Sequence, residues 1–381
     1  MEECGENMSK VLVTGGSGFI GSYTVDELVS QGYEVVIMDN YERQVHRGVV
    51  PTYENKKASY MRGDVRYRKH WEKILKGCEY IIHLAAAVSV GQSFWQSRKY
   101  FSVNTVGTSA LYDLLIRDKV LSSKIKKIVV ASSKSIYGEG AYSCKDHGLV
   151  YPNPRPIEQL KRHDWEVKCP ICGNNTAPVG TREEKPPQNL SPYALSKYDS
   201  ERISIDYSDI LGIPTVAFRY FNAYGPRQSL SNPYTGVLAI FMSRLKNGHP
   251  PLVFEDGNQI RDFINVNDIA RLNVKALEHG NGVYNVGSGK AVSLLQAIRS
   301  ISDYMSTNIE PIITEDFRTG DNRHDFADVS KLVSDFGYYS FQEFSKGVQD
   351  LVEWGSNMKS IDLVDKAESE RKSYMKRQKQ F

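Results

Sequence analysis

Several features are scarce in this sequence. It has five cysteines in 381 residues, a formal net charge of only +3, and no apolar run long enough to span a bilayer. Its first ten residues, MEECGENMSK, lack the apolar segment that directs secretion. The small net charge gives no argument for binding to nucleic acid or to a membrane. We therefore expect a cytoplasmic protein without disulfides, and with neither nucleic acid nor membrane as a partner.

Short apolar strands alternate with helical patterns in the first half of the chain. Residues 19–33 are predicted to form a helix that ends near Gly32. Strands separated by helices favour right-handed βαβ crossovers, and these produce a parallel sheet. The pattern predicts an α/β, Rossmann-type doubly wound parallel sheet with ligands at the carboxyl ends of the strands. The predicted strands are KVLVTG (10–15), EVVIMDN (34–40), YIIHLAA (80–86), KIVVASS (127–133) and PTVAFRYFN (214–222).

A glycine-rich turn connects the first predicted strand to the first predicted helix. In VTGGSGFIG, Gly15, Gly18 and Gly21 have the spacing G-x-x-G-x-x-G, and Phe19 and Ile20 lie between the last two glycines. Glycine allows a tight turn and lets the backbone approach a pyrophosphate, while the helix N-terminus offers free N–H groups to the anion. Because a strand precedes the turn and a helix follows it, the motif predicts a dinucleotide site.

Acidic residues near the ends of the second and third strands point to the adenosine half of that dinucleotide. Asp39 can bind the ribose hydroxyls and would repel a 2′-phosphate, so NAD is expected rather than NADP. Its neighbour Asn40 is assigned to the same site. Asp64, in RGDV, can reach the adenine from the end of the third strand, next to Val65. Helix capping is an alternative role for Asp64.

Two further motifs carry candidate catalytic groups. In SPYALSK, Tyr193 and Lys197 share one helix face, and the lysine ammonium together with a nicotinamide cation is expected to lower the pKa of the tyrosine toward neutrality. Such a tyrosine can take a proton from a sugar hydroxyl while a hydride leaves the same carbon. In SSKSIYG, Ser133 can hydrogen-bond the reacting hydroxyl and Tyr137 can line the pocket. An exposed helix face is the alternative interpretation of SPYALSK taken alone.

Seven motifs follow one another over most of the chain: TGGSGFIG, GDV, HLAA, NTVGT, SSKSIYG, YALSK and RYFNAYGP. On these motifs the chain resembles the extended short-chain dehydrogenases/reductases of the nucleotide-sugar epimerase/dehydratase family. The resemblance implies that Ser133, Tyr193 and Lys197 form the catalytic triad. For Asn104, which the resemblance assigns to the cofactor shell, the alternative is a structural role that ties two helices or loops together. The resemblance also places in the cofactor shell Asp64, Leu84, Ala85, Ala86, Asn104, Tyr193, Lys197 and Tyr220.

The residues after the catalytic serine separate two reactions within that family. Dehydratases of the family carry an Asp-Glu pair there, which protonates and expels a hydroxyl, whereas this chain has Lys134 and Ser135. The resemblance therefore implies an NAD-dependent nucleotide-sugar 4-epimerase, acting on a dTDP- or UDP-hexose by oxidation and re-reduction at C4. The alternatives are a 4-ketoreductase, an epimerase at another carbon, and a non-enzymatic NAD-binding scaffold or interaction protein.

The substrate diphosphate needs hydrogen-bond donors and positive charge. Asn222, Arg261 and Arg318 resemble the family's diphosphate contacts, and Arg323 is a further candidate. For Arg261 a structural ion pair with Asp262 or Asp268 is the alternative. The residues assigned to the nucleotide sugar are Ser133, Ser135, Tyr137, Asn222, Arg261, Arg318 and Asp321.

Three of the five cysteines form, together with a histidine, a pattern typical of zinc sites. Cys144 and His147 have the spacing C-x-x-H, and Cys169 and Cys172 have the spacing C-x-x-C. Three thiolates and one imidazole make a closed tetrahedral zinc site, which can fold an insertion with little core of its own. His163 is an alternative fourth ligand, and a redox dithiol is the alternative for the C-x-x-C pair.

Within the family, the loop SLSNPYTG resembles a branch of dTDP-L-rhamnose 4-epimerase-like proteins, with UDP-glucose 4-epimerase-like proteins also similar. That branch also carries an insertion between the catalytic serine and tyrosine. A homodimer is implied by the family, through helices near 95–117 and 193–211.

The chain is expected to divide into lobes. Residues 8–217 are predicted to form the NAD-binding domain, with the zinc-knuckle insertion at about 139–182 inside it. Residues 218–360 are expected to form mainly a smaller α/β substrate lobe, with some segments returning to the first domain. The charged segment 361–381 is interpreted as a solvated terminal tail.

Overall fold

The computed structural model describes residues 8–318, 320–338 and 340–378 of the chain. Strands and helices alternate through the first half and become mixed with turns in the second. The strands are β1 (Lys10–Thr14), β2 (Glu34–Asp39), β3 (Ser59–Arg62), β4 (Tyr80–His83), β5 (Lys127–Ser133), β6 (Ala141–Cys144), β7 (Gly148–Val150), β8 (Ala177–Val179), β9 (Thr215–Tyr220), β10 (Asn222–Tyr224), β11 (Leu252–Val253), β12 (Ile260–Asn265), β13 (Gly282–Val286), β14 (Ala291–Ser293) and β15 (Ile312–Ile313).

Two short segments depart from regular α-helix: a π-helical turn at Phe101–Val106 and a 3₁₀ turn at Lys134–Tyr137. The α-helices are α1 (Phe19–Ser30), α2 (Arg43–His46), α3 (Arg68–Ile74), α4 (Val90–Ser93), α5 (Ser97–Tyr100), α6 (Gly107–Arg117), α7 (Lys119–Ser122), α8 (Ile157–Lys161), α9 (Pro192–Leu211), α10 (Val237–Lys246), α11 (Val266–Lys275), α12 (Leu294–Met305), α13 (Ser330–Phe336), α14 (Phe344–Ser356) and α15 (Val364–Gln378).

A seven-stranded sheet forms the main layer, in the order β13-β9-β5-β4-β1-β2-β3, and each pair of neighbouring strands is parallel. Both faces are covered, because successive residues of β1 point to opposite sides and both sets are buried. Val11 and Val13 pack into one core with α1 and α11, whereas Leu12 packs into the other with α3 and α6. The predicted doubly wound Rossmann-type sheet is confirmed.

The second lobe holds a smaller sheet, β10-β12-β14, and a core built with α10, α12 and α14. The chain also returns to the main sheet from this part of the sequence. Strand β13 pairs with β9 as the outermost strand, and α11 packs against α1. The lobes therefore share elements rather than following one another along the chain.

The insertion between β5 and α9 has its own antiparallel sheet, β7-β6-β8. Its apolar core is small and includes two of the cysteines, Cys144 and Cys169, beside Tyr142, Val150 and Val167. Helix α9 follows the insertion. It is capped by Ser191, whose side chain accepts a hydrogen bond from the backbone N–H of Ala194, and its first residue is Pro192.

Two expectations about local structure differ from the fold. Strand β4 ends at His83 instead of residue 86; the N–H of Leu84 makes the last ladder bond, to the carbonyl of Thr14, where β1 also ends. The segment interpreted as a solvated tail forms helix α15 and packs against both lobes through side-chain contacts; residues 379–381 lie outside the described part of the chain. None of the described helices combines the length and the apolar character needed to cross a bilayer.

Candidate active site

A cleft of about 980 Å³ opens at the carboxyl ends of the central strands and continues between the two lobes. It brings together most of the residues predicted for the cofactor and the substrate. Asn104, Tyr137 and Arg323 are not among its lining residues. The predicted residues that line it are Gly15, Gly18, Phe19, Ile20, Gly21, Asp39, Asn40, Asp64, Val65, Leu84, Ala85, Ala86, Ser133, Ser135, Tyr193, Lys197, Tyr220, Asn222, Arg261, Arg318 and Asp321.

The glycine-rich turn has no room for side chains at two positions. A Cβ on Gly15 would lie 2.9 Å from the backbone N and Cα atoms of Ala85, and the φ angle of Gly15 is +70°. A Cβ on Gly21 would lie 2.1 Å from the carbonyl oxygen of Gly15. Helix α1 begins after Gly18 without a side-chain cap, so its first N–H groups are available to an anion. This cradle fits a dinucleotide pyrophosphate.

Asp39 stands at the end of β2, beside the glycine-rich turn. Its carboxylate accepts hydrogen bonds from the backbone N–H groups of Ser17, at 3.1 Å, and Tyr41, at 2.8 Å. Burial raises the pKa of Asp39, and these two hydrogen bonds act in the opposite direction. The carboxylate is therefore fixed in the position where the ribose of a dinucleotide would meet it, and it fits NAD better than a 2′-phosphorylated cofactor.

Asp64 lines the cleft while it also organises its own loop. It accepts a hydrogen bond from the side chain of Asn40 at 3.2 Å and pairs with the guanidinium of Arg66 at 2.6 Å. It also accepts from the backbone N–H of Arg66, two residues before α3 begins. A local structural role and a cofactor contact are therefore compatible for this residue.

Asn104 has a structural role, which is the alternative given above to a direct cofactor contact. Its side chain exchanges two hydrogen bonds with the backbone of Ala87, at 2.8 and 3.0 Å, and donates a third to Ser196 at 2.9 Å. The side chain thus ties the loop after β4 to the catalytic helix α9. It is 1% exposed and acts on the cleft through its neighbours.

Ser133, Tyr193 and Lys197 converge where β5 meets α9. Ser133 is the last residue of β5, and the ammonium of Lys197 donates to the backbone carbonyl of Ala131 in the same strand. The hydroxyl of Ser135 donates to Ser133 at 2.9 Å. The alternative of an exposed helix face is wrong, because Tyr193 is 8% exposed and Lys197 is 4% exposed.

The ionisation of this group differs from the expectation. Burial raises the pKa of Tyr193, and a hydrogen bond with Ser133 acts in the opposite direction. Burial also lowers the pKa of Lys197 to about 8, against the attraction of Glu201. The side chains alone therefore do not bring Tyr193 toward neutrality, because the buried pocket disfavours both charged forms.

Within the SSKSIYG motif, Lys134 lines the cleft, whereas Tyr137, which is expected to line the pocket, does not. Tyr137 lies behind the cleft, where its hydroxyl donates to Asn285 at 2.6 Å and accepts from Arg219 at 2.8 Å. Lys134 lines the cleft instead and forms an ion pair with Asp325. The short 3₁₀ turn after β5 explains the difference, because it turns residue 134 toward the cleft and residue 137 into a small buried cluster with Phe221 and Ala327.

Arginines surround the far end of the cleft. Arg261 donates to the backbone carbonyls of Ile260, Asn322 and Arg323, at 2.8–3.0 Å. The alternative of a structural ion pair for Arg261 is not borne out among the described residues, because the neighbouring carboxylates bind other groups. Arg318 lies 4.0 Å above the ring of Phe254.

Two other predicted diphosphate contacts have different environments. Asn222 lines the cleft while its side chain donates to the carbonyl of Asp262 at 3.0 Å. Arg323 is fully buried and is bound by three carboxylates, those of Glu166, Glu255 and Asp256. It is therefore unavailable to a diphosphate.

The insertion brings its four predicted metal ligands together. One ligand atom from each of Cys144, His147, Cys169 and Cys172 lies within 4.8 Å of all the others. Burial opposes ionisation of Cys169, but backbone N–H groups near its sulfur lower its pKa to about 6. His163 lies outside this cluster and stacks on Trp165, with 5.1 Å between ring centroids.

Sequence reasoning missed the part of the cleft formed by α15. Val364, Ala367, Glu368 and Arg371 line it. The spacing i, i+3, i+7, i+10 from Val364 to Tyr374 is the helical periodicity that indicates one shared face. The periodicity is weak evidence in a segment of such high charge, because only two of these four cleft-lining residues, Val364 and Ala367, are apolar.

Comparison with known proteins defines the class of this fold and site. The family model described as GDP-mannose 4,6 dehydratase matches residues 12–153, and the NAD dependent epimerase/dehydratase family model matches residues 169–287. A dTDP-L-rhamnose 4-epimerase from Burkholderia thailandensis is 32% identical over 351 residues, which are 91% of this chain and 94% of that protein. The chain belongs to the NAD dependent epimerase/dehydratase family.

Particular solved structures share the fold over nearly the whole chain. The UDP-glucose 4-epimerase of Thermotoga maritima, solved with UDP-glucose, is 28% identical with a TM-score of 0.75, covering 91% of this chain and 98% of that one. The UDP-glucose 4-epimerase of Thermus thermophilus, solved with NAD, is 27% identical with a TM-score of 0.72, covering 92% and 100%.

Proposed function

We propose that this protein is an NAD-dependent nucleotide-sugar 4-epimerase that acts on a dTDP- or UDP-hexose. The observation that carries the proposal is the convergence of Ser133, Tyr193 and Lys197 in one cleft with the glycine-rich cradle. The family relatives named above support the same reaction class. NAD, when bound, accepts a hydride from C4 of the sugar and returns it.

The chain's own groups handle the proton and the orientation. Tyr193 takes the proton of the C4 hydroxyl, and Ser133 hydrogen-bonds the same oxygen so that the C4–H bond faces the cofactor. Lys197 supplies positive charge beside the developing phenolate. After C4 has become a ketone, the sugar turns in the cleft and presents its other face. Because the hydride returns to that other face, the configuration at C4 is inverted, and Tyr193 gives the proton back to the C4 oxygen.

The alternatives differ in what the cleft must contain. Dehydration would need a carboxylic acid beside Ser133, but Lys134 holds that position and is paired with Asp325. A 4-ketoreductase or an epimerase at another carbon would use the same three residues. A non-enzymatic scaffold would have no need of a tyrosine, a lysine and a serine buried together at the mouth of a cofactor site.

The diphosphate is assigned to the arginine-rich end of the cleft, with Asn222, Arg261 and Arg318 as its contacts. Incubating the protein with a panel of dTDP- and UDP-sugars and following epimers by NMR tests the proposal. We expect one sugar to be converted to its C4 epimer without net consumption of cofactor. Stoichiometric loss of absorbance at 340 nm with added NADH would instead identify a reductase, and conversion of no sugar would refute the enzymatic assignment.

We also propose a structural zinc ion at Cys144, His147, Cys169 and Cys172. The four ligand atoms are grouped as a tetrahedral site requires, and the small apolar core of the insertion needs a further source of stability. With four protein ligands the ion would have no open position for catalysis. The alternative of a redox dithiol is less well supported, because Cys144 and His147 would then be superfluous.

The homodimer implied by the family stays a prediction. Apolar side chains on the helices expected at its interface support it: Val106 is 52% exposed, Leu195 40% and Ile210 66%. Burying such residues against a second copy would remove apolar surface from water. The molar mass of the purified protein in solution, measured by light scattering, tests this prediction, and a monomer would contradict it.

A further inference from the structure

Helix α15 spans the open side of the cleft and contacts both lobes. On the NAD-binding side, the ring of Tyr374 packs against Trp95, with 5.9 Å between centroids. On the substrate side, Glu370 accepts a hydrogen bond from the hydroxyl of Tyr234 at 2.8 Å, and Asp365 pairs with Arg244 at 3.0 Å. The helix therefore covers the sugar-nucleotide end of the cleft from above.

The cleft-facing side of this helix carries a carboxylate between two guanidinium groups. Glu368 accepts from the Nε atom of Arg371 at 3.0 Å, and one of its oxygens lies 3.7 Å from Arg318 on the opposite wall. Burial opposes ionisation of Glu368, but the two arginines lower its pKa. Both guanidinium groups are thus held at the cleft by an anion that belongs to the chain itself.

A carboxylate and a phosphate bind guanidinium groups in the same way, through paired N–H donors to two oxygens. An anion held between two arginines, in a cleft that takes a nucleoside diphosphate, therefore occupies a position that suits phosphate oxygens. We propose that Arg371 is a third diphosphate-binding arginine, contributed by α15, and that Glu368 holds Arg371 and Arg318 in place until the diphosphate displaces it.

This inference rests on the proposed function, because it assumes a nucleotide-sugar diphosphate in the cleft. Displacement requires that α15 can move. Within Val364–Tyr374, the part of the helix whose side chains are described, Val364 and Ala367 are the apolar residues that line the cleft, and the other contacts are polar or aromatic and partly exposed. The carboxylate of Asp365, which pairs with Arg244, is 70% exposed, so this contact is open to solvent. Segments held in this way open readily, so the helix can admit the substrate and close over it.

The test compares ligand affinities of full-length variants by isothermal titration calorimetry with UDP, dTDP and the corresponding monophosphates. Arg371→Ala is expected to weaken binding of the preferred diphosphate about 10- to 100-fold, and that of its monophosphate less. Lys372→Ala is the matched control, since it removes the same charge from the next residue, which is exposed and does not line the cleft. It should bind the diphosphate like the wild type.

Glu368→Gln separates this role from a merely structural one. Removing the resident anion should strengthen diphosphate binding several-fold, whereas loss of a purely structural ion pair would leave it unchanged or weaken it. The inference is overturned if Arg371→Ala binds the diphosphate normally, if mono- and diphosphate lose affinity equally, or if Glu368→Gln does not bind more tightly. If the wild type binds neither UDP nor dTDP, the proposed function fails, and this inference fails with it.

Discussion

A guanidinium nitrogen of Arg323 lies 2.7 Å from a carboxylate oxygen of Glu166, and this contact joins the zinc-type insertion to the substrate lobe. Arg323 belongs to a loop whose backbone carbonyls hold Arg261 at the cleft. Glu166 lies three residues before Cys169. The insertion therefore contacts the arginine-rich end of the cleft through an ion pair whose arginine is fully buried, although its cysteines lie outside the cleft lining.

Arg323→Met is expected to lower the free energy of unfolding by about 1–3 kcal/mol, because three carboxylates lose a fully buried hydrogen-bonding partner, although Glu255 keeps its pairing with Arg155. Urea denaturation measures the loss. Arg182→Met is the matched control: its guanidinium pairs with Asp328 at 2.9 Å but is 66% exposed, so its loss should cost about 0–1 kcal/mol. Equal stability of the two variants would mean that the ion cluster around Arg323 contributes no more than an exposed ion pair.

Metal analysis should find about one zinc per chain. Cys169→Ser should lose that metal and destabilise the insertion, and through Glu166 it should raise the KM for the nucleotide sugar more than it lowers kcat. Cys78→Ser is the control, because Cys78 is buried in the turn between α3 and β4, outside the insertion, and its sulfur donates to the carbonyl of Ile74. A native protein that is metal-free and fully active would eliminate the zinc site.

Tyr193→Phe should lower kcat by about 100- to 10,000-fold while NAD stays bound, because only the proton acceptor is lost. Turnover by NMR and cofactor content of the purified protein give the two readouts. Tyr207→Phe, on the same helix, is the control: Tyr207 stacks on Tyr112 with 5.0 Å between centroids and does not line the cleft. Retained activity in the first variant would reject Tyr193 as the base.

Gly15→Ala should abolish stable binding of NAD, because a methyl group would meet the backbone of Ala85 at 2.9 Å. Gly32→Ala is the matched control, since Gly32 also has a positive φ, +85°, but nothing lies within 4 Å of its Cβ position. Both variants carry the backbone strain of about 1–2 kcal/mol. Only the first should lose the cofactor, as measured by absorbance after reconstitution; equal loss would show that strain and not contact decides the effect.

Stability should depend on the ionisation of Lys197, whose pKa burial lowers to about 8. Between that value and its usual pKa near 10.5, the unfolded chain binds the proton and the folded chain does not. Stability from this group therefore rises with pH across the window, by about 3 kcal/mol in all. Burial also lowers the pKa of Lys185 to about 8, so the stability difference between wild type and Lys197→Met isolates Lys197. A difference that is constant from pH 7.5 to 10.5 would contradict the prediction.

The parts of the site that sequence could predict are those fixed by local chemistry. The turn at Gly15 and the helical spacing of Tyr193 and Lys197 need particular residues at particular intervals, so their motifs carry their geometry. The expectation that Tyr137 lines the pocket is wrong, because the 3₁₀ turn directs its side chain into the core, and no distinctive residue in the sequence marks such a turn.

Tertiary packing decided the rest. The pKa of Tyr193 depends on how deeply the residue is buried, which spacing does not reveal. Helix α15 has few apolar residues, and its position is set by partners far away in sequence, such as Trp95 and Arg318. Strand β13 is short, and only its pairing with β9 identifies it as part of the main sheet.

The return of the chain to β13 constrains how this protein can be divided. Between β9 and β13 the polypeptide builds much of the substrate lobe before it completes the parallel sheet. A fragment cut near residue 217 would interrupt β9 and lose the strand that shields its outer edge. No single crossover point would therefore transplant either lobe intact into a chimera, so engineering of sugar preference has to proceed by point changes within the whole polypeptide.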